Sequence, residues 1–328
     1  MGFRIEFGCA DLARTTIARE PDPLWEVLLG MHMVQTDDEP EVFGAWRTRT
    51  RARLTALERE LMVLAQPVGY SPDFLTPAES ADGLDAGLAA VAATPPERIA
   101  AELSILAEQV RLPNWTRRLA AGDPDVLAKL CHGLKHFHRT NIAPLMPVIN
   151  AMISRDVKVH SDTVTTGGFE SLAGTLHPVL QWQPPYLHVD MGHIDRELDL
   201  DGRGLRLVPS YFCWRHPIMP ADPSLPPVLV YPVQHDPAWA EPIEQYADPE
   251  RAVADLLGRT RAAVLRTISA GACSTSELAA RAGISLASAS EHARVLHRTG
   301  LVTTRRAGGA VRHTISPIGS HLLSGAYH

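Results

Sequence analysis

The sequence predicts an α+β chain. A mostly helical N-terminal domain carries a small antiparallel sheet, and a C-terminal module of short helices closes on a two-stranded hairpin. Three observations carry this reading. Apolar residues repeat with a helical period to about residue 174, and from about 178 the apolar stretches are short and strand-like. An acidic, proline-containing stretch, HDPAWAEPIEQYADPE at 235–250, interrupts both patterns and reads as a linker. The charge then changes sign: residues 251–328 hold ten arginines, no lysine and three acids (Asp255, Glu277, Glu291), a net charge of +7. The whole 328-residue chain carries −6, so the remainder carries −13. The expected division is a domain over 1–240, a linker over 241–250 and a basic domain over 251–328.

The elements follow in order. Phe3-Arg4-Ile5-Glu6-Phe7 alternates apolar and charged residues, as a strand does. In PDPLWEVLLGMHMV, Pro23 sits at a first helical turn. VFGAWRTRTRARLTALERELMVLAQP places Leu54, Leu57, Leu61 and Leu64 on one stripe, stopped by Pro67. TPPERIAAELSILAEQV carries Thr94 and Glu97 at capping-box spacing, then Ile99, Leu103, Leu106 and Val110 at helical spacing. Asp123-Pro124 opens a further helix. VLQW, YLHVDM, RELDLDGRGLRLVPSYFCW and PPVLVYPV read as strands, with a hairpin turn at Asp201-Gly202-Arg203-Gly204.

Composition narrows the class. The chain is 45% hydrophobic and 21% charged, with no apolar run of about 18 residues of the kind a membrane span needs. Its first residues lack the basic and apolar pattern of a secretory signal. Cys9, Cys131, Cys213 and Cys273 form no CxxC pair, which fits buried thiols in a reducing cytoplasm. The motifs GxSxG, HExxH, GxGxxG and the Walker loop are absent, so no enzyme is expected and no cofactor.

The C-terminal module is punctuated residue by residue. Ser274 and Glu277 have capping-box spacing before a helix that faces Leu278, Ala279 and Ala282 inward. Gly283 ends that helix with a positive φ. Ser285 is an N-cap for a second helix over 286–298, which Gly300 ends. LVTTRR, the turn AGG and AVRHTI then form two strands, and Ser316-Pro317 caps a last helix. Helix, tight turn, helix and hairpin make the layout of a winged helix-turn-helix.

SELAARAGISLASASEHARVLHRTGLVTTRRAGGAVRHTIS, within 258–315, resembles the winged-helix domain of the ArsR-like bacterial repressors. PLWEV, GYSPDFLTP, LDGRGLRLVPSYFCW and VLVYP resemble a subgroup, common in actinomycetes, that joins a large uncharacterised N-terminal domain to this module. The resemblance implies a cytoplasmic, homodimeric repressor of transcription bound to double-stranded DNA.

The residues give their own reading of the second helix. Ala289, Ala293 and Leu296 form its packed face. Ala287, Glu291, Arg294 and Arg298 form another, flanked by Ser288 and His292. Ser288, Glu291 and Arg294 are expected to reach base edges, and Ser285 or Ser290 a phosphate. Arg305, Arg306 and Arg312 on the hairpin suit phosphates or the minor groove. The alternative is a solvated helix face with solubilising arginines. Glu291 either accepts from cytosine N4 or restrains Arg294 one turn away, and the second needs no particular base.

Metal sensing is not expected. Cys273 has no second cysteine beside it, and His313, His321 and His328 lack a carboxylate at ligand spacing. His132 and His136, one helical turn apart, read as a polar patch more readily than as a metal pair. Arg47, Arg49, Arg51 and Arg53 read as a solvated face paired with Glu58 and Glu60, or as a second basic patch. The N-terminal domain is expected to sense a small apolar molecule or a partner. Candidate pocket residues are Tyr70 and Phe74 in the exposed-looking loop GYSPDFLTP, with Trp182, Tyr186 and Trp214; Trp25, Trp115 and Tyr211 could add walls. The rivals are an architectural DNA binder without a ligand and an enzyme domain fused to a DNA-binding one.

Overall fold

In the computed structural model, which describes residues 3–176, 180–189, 196–235, 249–307 and 310–324, the chain divides into two units, 1–241 and 242–328. The α+β class holds. The expected linker lies outside the described residues up to 248, and its last two residues already belong to a helix.

The first unit begins with β1 (Phe3–Glu6), α1 (Cys9–Arg14) and β2 (Thr16–Ile17). Helix α2 (Pro23–Gln35) is apolar almost all round and buried accordingly, from Leu24 to Val34. Asp22 caps it by accepting from the Trp25 amide, and Ser80 Oγ donates to the same carboxylate at 2.5 Å. The stretch expected as one striped helix is two, α3 (Pro40–Arg53) and α4 (Ala56–Leu61). Thr55 and Glu58 form a reciprocal capping box that starts the second, so the leucine period runs across a break.

Arg47 is not on a solvated face, and Arg51, which is exposed, pairs with Asp37 at 3.0 Å and not with Glu58 or Glu60. Arg47 is 4% exposed and donates to the carbonyls of Met33, at 2.8 Å, and Asp38. Arg51 donates to Val34 and Thr36 at 2.7 and 2.8 Å. Together they satisfy the orphan carbonyls at the end of α2.

Helices α5 (Leu84–Ala92) and α6 (Pro96–Ala107) follow. The Thr94–Glu97 box does not form: Pro95 holds the N-cap of α6, and the Thr94 hydroxyl donates back to Ala90 at 3.2 Å. Ile99, Leu103 and Leu106 are buried as their spacing requires. After α7 (Trp115–Ala120), Asp123 caps α8 (Pro124–Phe137) by accepting from the amides of Asp125 and Val126. Helix α9 (Met146–Leu176) is broken at Gly168, where φ is 68°.

Strands β3 (Leu180–Gln183), β4 (Tyr186–Val189) and β5 (Glu197–Asp199) join β1 in a sheet ordered β3-β4-β1-β5. Its first three strands are antiparallel, as expected, but β5 runs parallel to β1. Strands β6 (Arg206–Ser210) and β7 (Val228–Pro232) make a second sheet with β2, all parallel. The expected hairpin at 201–204 is therefore only a turn between two sheets. Buried Asp11 accepts from the Gly204 amide at 2.9 Å, and Thr15 Oγ1 accepts from the Leu205 amide at 3.2 Å. These bonds hand the chain to β2 instead of back to β5. Ile5, Leu187, Leu207 and Leu229 from the two sheets share one core with Leu172 and Leu176 of α9.

The second unit comprises α10 (Pro249–Leu257), α11 (Arg259–Ser269), β8 (Cys273–Ser274), α12 (Thr275–Ala282), α13 (Leu286–Arg298), β9 (Val302–Ala307), β10 (Ala310–Ile315) and α14 (Pro317–Ser324). Its sheet is antiparallel, ordered β8-β10-β9. The core packs Val264, Leu265 and Ile268 of α11 against Leu278, Ala289, Ala293 and Leu296. At Gly319 a Cβ would lie 2.1 Å from the Leu301 carbonyl oxygen, so only glycine lets α14 approach the start of β9.

Of the four thiols, Cys213 and Cys273 are buried, but Cys9 is exposed and Cys131 half-buried. Among the described residues no helix is long and apolar enough to cross a membrane.

Candidate nucleic-acid interface

Four local bonds and one left-handed glycine shape the junction between α12 and α13. Ser274 Oγ accepts from the Glu277 amide at 3.3 Å, and Glu277 Oε2 accepts from the Ser274 amide at 2.8 Å. Those bonds from Ser274 hold the Glu277 carboxyl below its usual range. Gly283 then takes φ 63°, the left-handed conformation that ends α12, and the Ile284 amide reaches back to the Ala279 carbonyl at 3.0 Å. Ser285 Oγ accepts from the Ser288 amide at 3.2 Å and starts α13 within two residues of that turn.

Helix α13 is thereby fixed with one face in and one face out. Ala289, Ala293 and Leu296 are at most 1% exposed. Ala287, Ser290, Glu291, Arg294 and Arg298 are exposed, and Ser288 and His292 are half-buried at the margin. Small residues at the helix start leave the backbone there open to close approach. Ser285 donates its hydroxyl proton to Ser288 Oγ at 2.9 Å, so the two cap residues act as a pair. Arg294 Nη2 donates to both carboxylate oxygens of Glu291, at 2.9 and 2.7 Å. That pairing holds the Glu291 carboxyl below its ordinary range. Leu286, passed over in the sequence, is 55% exposed on the first turn of the same helix.

The hairpin adds charge beside this face. Arg305 and Arg312 are direct cross-strand partners, both exposed. Directly opposite residues point to the same side of a ladder, so two like charges share one spot. Arg312 is tied down by Nη2 donating to the Ala272 carbonyl at 3.1 Å. Arg306 pairs with Val311 in the register, and its side chain lies outside the described residues.

Two histidines prove structural. His313 is 5% exposed and bridges the Thr275 hydroxyl (3.0 Å) and the Thr304 hydroxyl (3.1 Å), pinning the hairpin to α12. Burial keeps its imidazole below the usual histidine range. Strand alternation between the half-buried Val311 and Ile315 was the signal that could have found it. His297 Nδ1 lies 3.0 Å from the Val302 carbonyl and ties α13 to β9.

The other expected sites are dispersed. His136 Nδ1 meets Glu58 at 2.9 Å, the carboxylate that also caps α4. Among the described residues no group of three or more His, Cys, Asp or Glu is placed to hold a metal ion. Tyr70 and Trp214 line one cavity in the first unit, together with Trp25. Phe74 is fully buried and Leu75 nearly so, since the loop turns both into the core. Trp182 packs edge-on against Phe7 and Phe169, and Tyr186 lies under the Arg4 guanidinium.

Residues 256–305 match the family described as a helix-turn-helix domain. No curated protein and no solved structure matches the chain. The second unit is thus the DNA-binding helix-turn-helix domain of a transcriptional regulator.

Proposed function

We propose that this chain is a cytoplasmic, homodimeric regulator, most simply a repressor, that binds a pseudo-palindromic operator through α13 and is controlled by an effector at the first unit. One observation carries the proposal: the capped turn at 283–285 presents the small-residue start of α13 and its exposed Arg294 and Arg298 on one face, in the unit whose hairpin also exposes Arg305 and Arg312. A helix of this kind enters the major groove by its N-terminal residues. Arg294 then reads a base edge, Ser290 and Arg298 meet phosphates, and Leu286 or Ala287 packs on a thymine methyl. Two such heads occupy half-sites about 34 Å apart.

The test is selection of bound sites from random DNA by the full chain, then affinity measurements on the selected and random sequences. A two-fold symmetric consensus is expected. Arg294→Ala should weaken the selected site about 5- to 100-fold more than random DNA, the range of one good base contact. Arg305→Ala should weaken both alike and reduce the salt slope by about one. Uniform affinity for every sequence would sink the operator-reading role and leave an architectural DNA binder.

A further inference from the structure

The geometry points to a ligand site in the first unit: a cavity of 620 Å³ built for an uncharged, mostly apolar organic molecule with aromatic rings and a hydrogen-bond acceptor. This rests on the regulator reading for its role as effector, though not for its existence.

The volume lies in the range of small-molecule sites, about 300–1,000 Å³. Trp25 and Leu28 of α2 form one wall, Tyr70 and Val68 a second, and Trp214 and Met219 a third. The walls are braced by hydrogen bonds between segments. Asp73 accepts from the amides of Ala221 and Asp222 at 3.0 and 2.9 Å. Glu102 accepts from the Phe74 amide at 2.8 Å, and Gln109 from the Tyr70 amide at 2.8 Å. Segments distant in sequence are held in place before any ligand arrives, which lowers the cost of binding.

The lining also sets the ligand's charge and polarity. The Asp73 carboxylate is spent on backbone amides, and Arg196, which also lines the cavity, donates to the Ala221 carbonyl at 2.6 Å. His32 meets the Ser71 hydroxyl at 3.0 Å, and burial holds its imidazole neutral, with a pKa of about 4. A charged ligand would be desolvated here against groups whose hydrogen bonds are already turned to the cavity's own backbone, which is costly. Two features lack partners among the described residues. The Trp214 indole N–H is buried without an acceptor, and Val68 is 86% exposed where it lines the cavity. A ring-bearing molecule with a carbonyl supplies the acceptor and covers the valine.

Trp214 also packs on His235, ring centroids 5.6 Å apart, so a ligand against the indole bears on a second ring of the same unit.

Benzophenone, uncharged and with two rings and one carbonyl, is the probe. Irradiated with the full-length chain, it should label peptides containing Met219 or Val68, saturably. Met219→Trp, which fills the space, should cut that labelling at least tenfold. If that variant does not fold, Val68→Asp at the exposed rim should give the same loss. The carboxylated analogue 4-benzoylbenzoate should label at least tenfold less. Scattered labelling, labelling unchanged in the variants, or equal labelling by the anion overturns the site. Benzophenone should also shift the affinity for the selected DNA at least threefold in the unmodified chain alone; an unchanged affinity overturns the effector role. Selective DNA binding without cavity labelling refutes the site and spares the regulator. Cavity labelling without selective DNA binding does the reverse.

Discussion

In the second unit Arg294, Arg298 and Arg305 stand exposed around a small apolar core. In the first unit Glu26, Arg47, Asp73 and Glu102 are buried, and each bonds backbone groups of another segment. Exposed cations add little to folding and are free for a polyanion. Buried charges do the opposite: they are costly unless satisfied, so each fixes a contact between distant pieces of chain. One unit is organised to meet a partner, and the other to hold an interior in shape.

The largest expected effect tests that contrast directly. Glu26 is fully buried and accepts from the amides of Tyr211 and Phe212 at 2.9 and 3.1 Å. Glu26→Ala strands both donors and leaves a hole, a loss of about 3–5 kcal/mol. Calorimetry of the full chain should show the first unit melting earlier and the second unchanged. Arg294→Ala should move neither transition by more than about 0.5 kcal/mol. A destabilised second unit in the Glu26 variant would break the division.

Acid should also separate the units' chemistry. His32 and His235 are half-buried by exposed area but packed closely enough that desolvation lowers both pKa values to about 4. Their neutral forms are favoured by the fold, so this stability is fully present above the unfolded value of about 6.5 and is lost as pH falls toward 4. By pH 5 each costs about 2 kcal/mol. Glu26 works the other way. Burial raises it to about 7, so its contribution is full below about 4.5 and is lost as pH rises through 7. From pH 7 to 5 it returns about 2 kcal/mol, leaving a net loss of about 2 from these three groups. His32→Asn should flatten the acid loss measured by urea denaturation at each pH; a slope equal to that of the unmodified chain would remove His32 from the account.

The turn at 283 offers a third comparison, inside the second unit. Gly283→Val forces a β-branched residue to φ 63°. The expected loss is about 1–3 kcal/mol, read as a lower melting temperature of the second unit alone. A neutral result would mean the turn can reach another conformation.

How legible each unit was follows from the range of its bonds. The Ser274–Glu277 box, Gly283 and Ser285 act within three residues, so the helix-turn-helix could be read position by position. Thr55 and Glu58 are just as local, yet the leucine period ran through them and hid the break. The Thr94–Glu97 box also fails locally, because Pro95 holds the N-cap, while the first unit's larger errors come from bonds distant in sequence. Asp11 reaches Gly204 across 193 residues and turns an expected hairpin into a passage between sheets. Arg47 and Arg51 look like a charged surface because nothing nearby in sequence marks the end of α2 as their target. Tyr70 and Trp214 were legible as pocket residues by chemistry, but aromatic character alone cannot separate them from buried Phe74 or from Trp182.

The smallest effect concerns Glu291, the one acid on the outward face of α13. Its pair with Arg294 is exposed on both sides, 63% and 55%, and contributes little to stability. Its effect should appear on DNA. If Glu291 restrains Arg294, Glu291→Gln removes a carboxylate near phosphates and frees the guanidinium. Affinity for random DNA should then rise about threefold, roughly 0.6 kcal/mol, while site selection returns the same consensus. If Glu291 instead accepts from a cytosine N4, the variant loses preference at one position only, by about 5- to 100-fold. The observed geometry, with both carboxylate oxygens already taken by Arg294 Nη2, favours the first outcome. A consensus that drops a single cytosine would overturn it and make Glu291 a base reader in its own right.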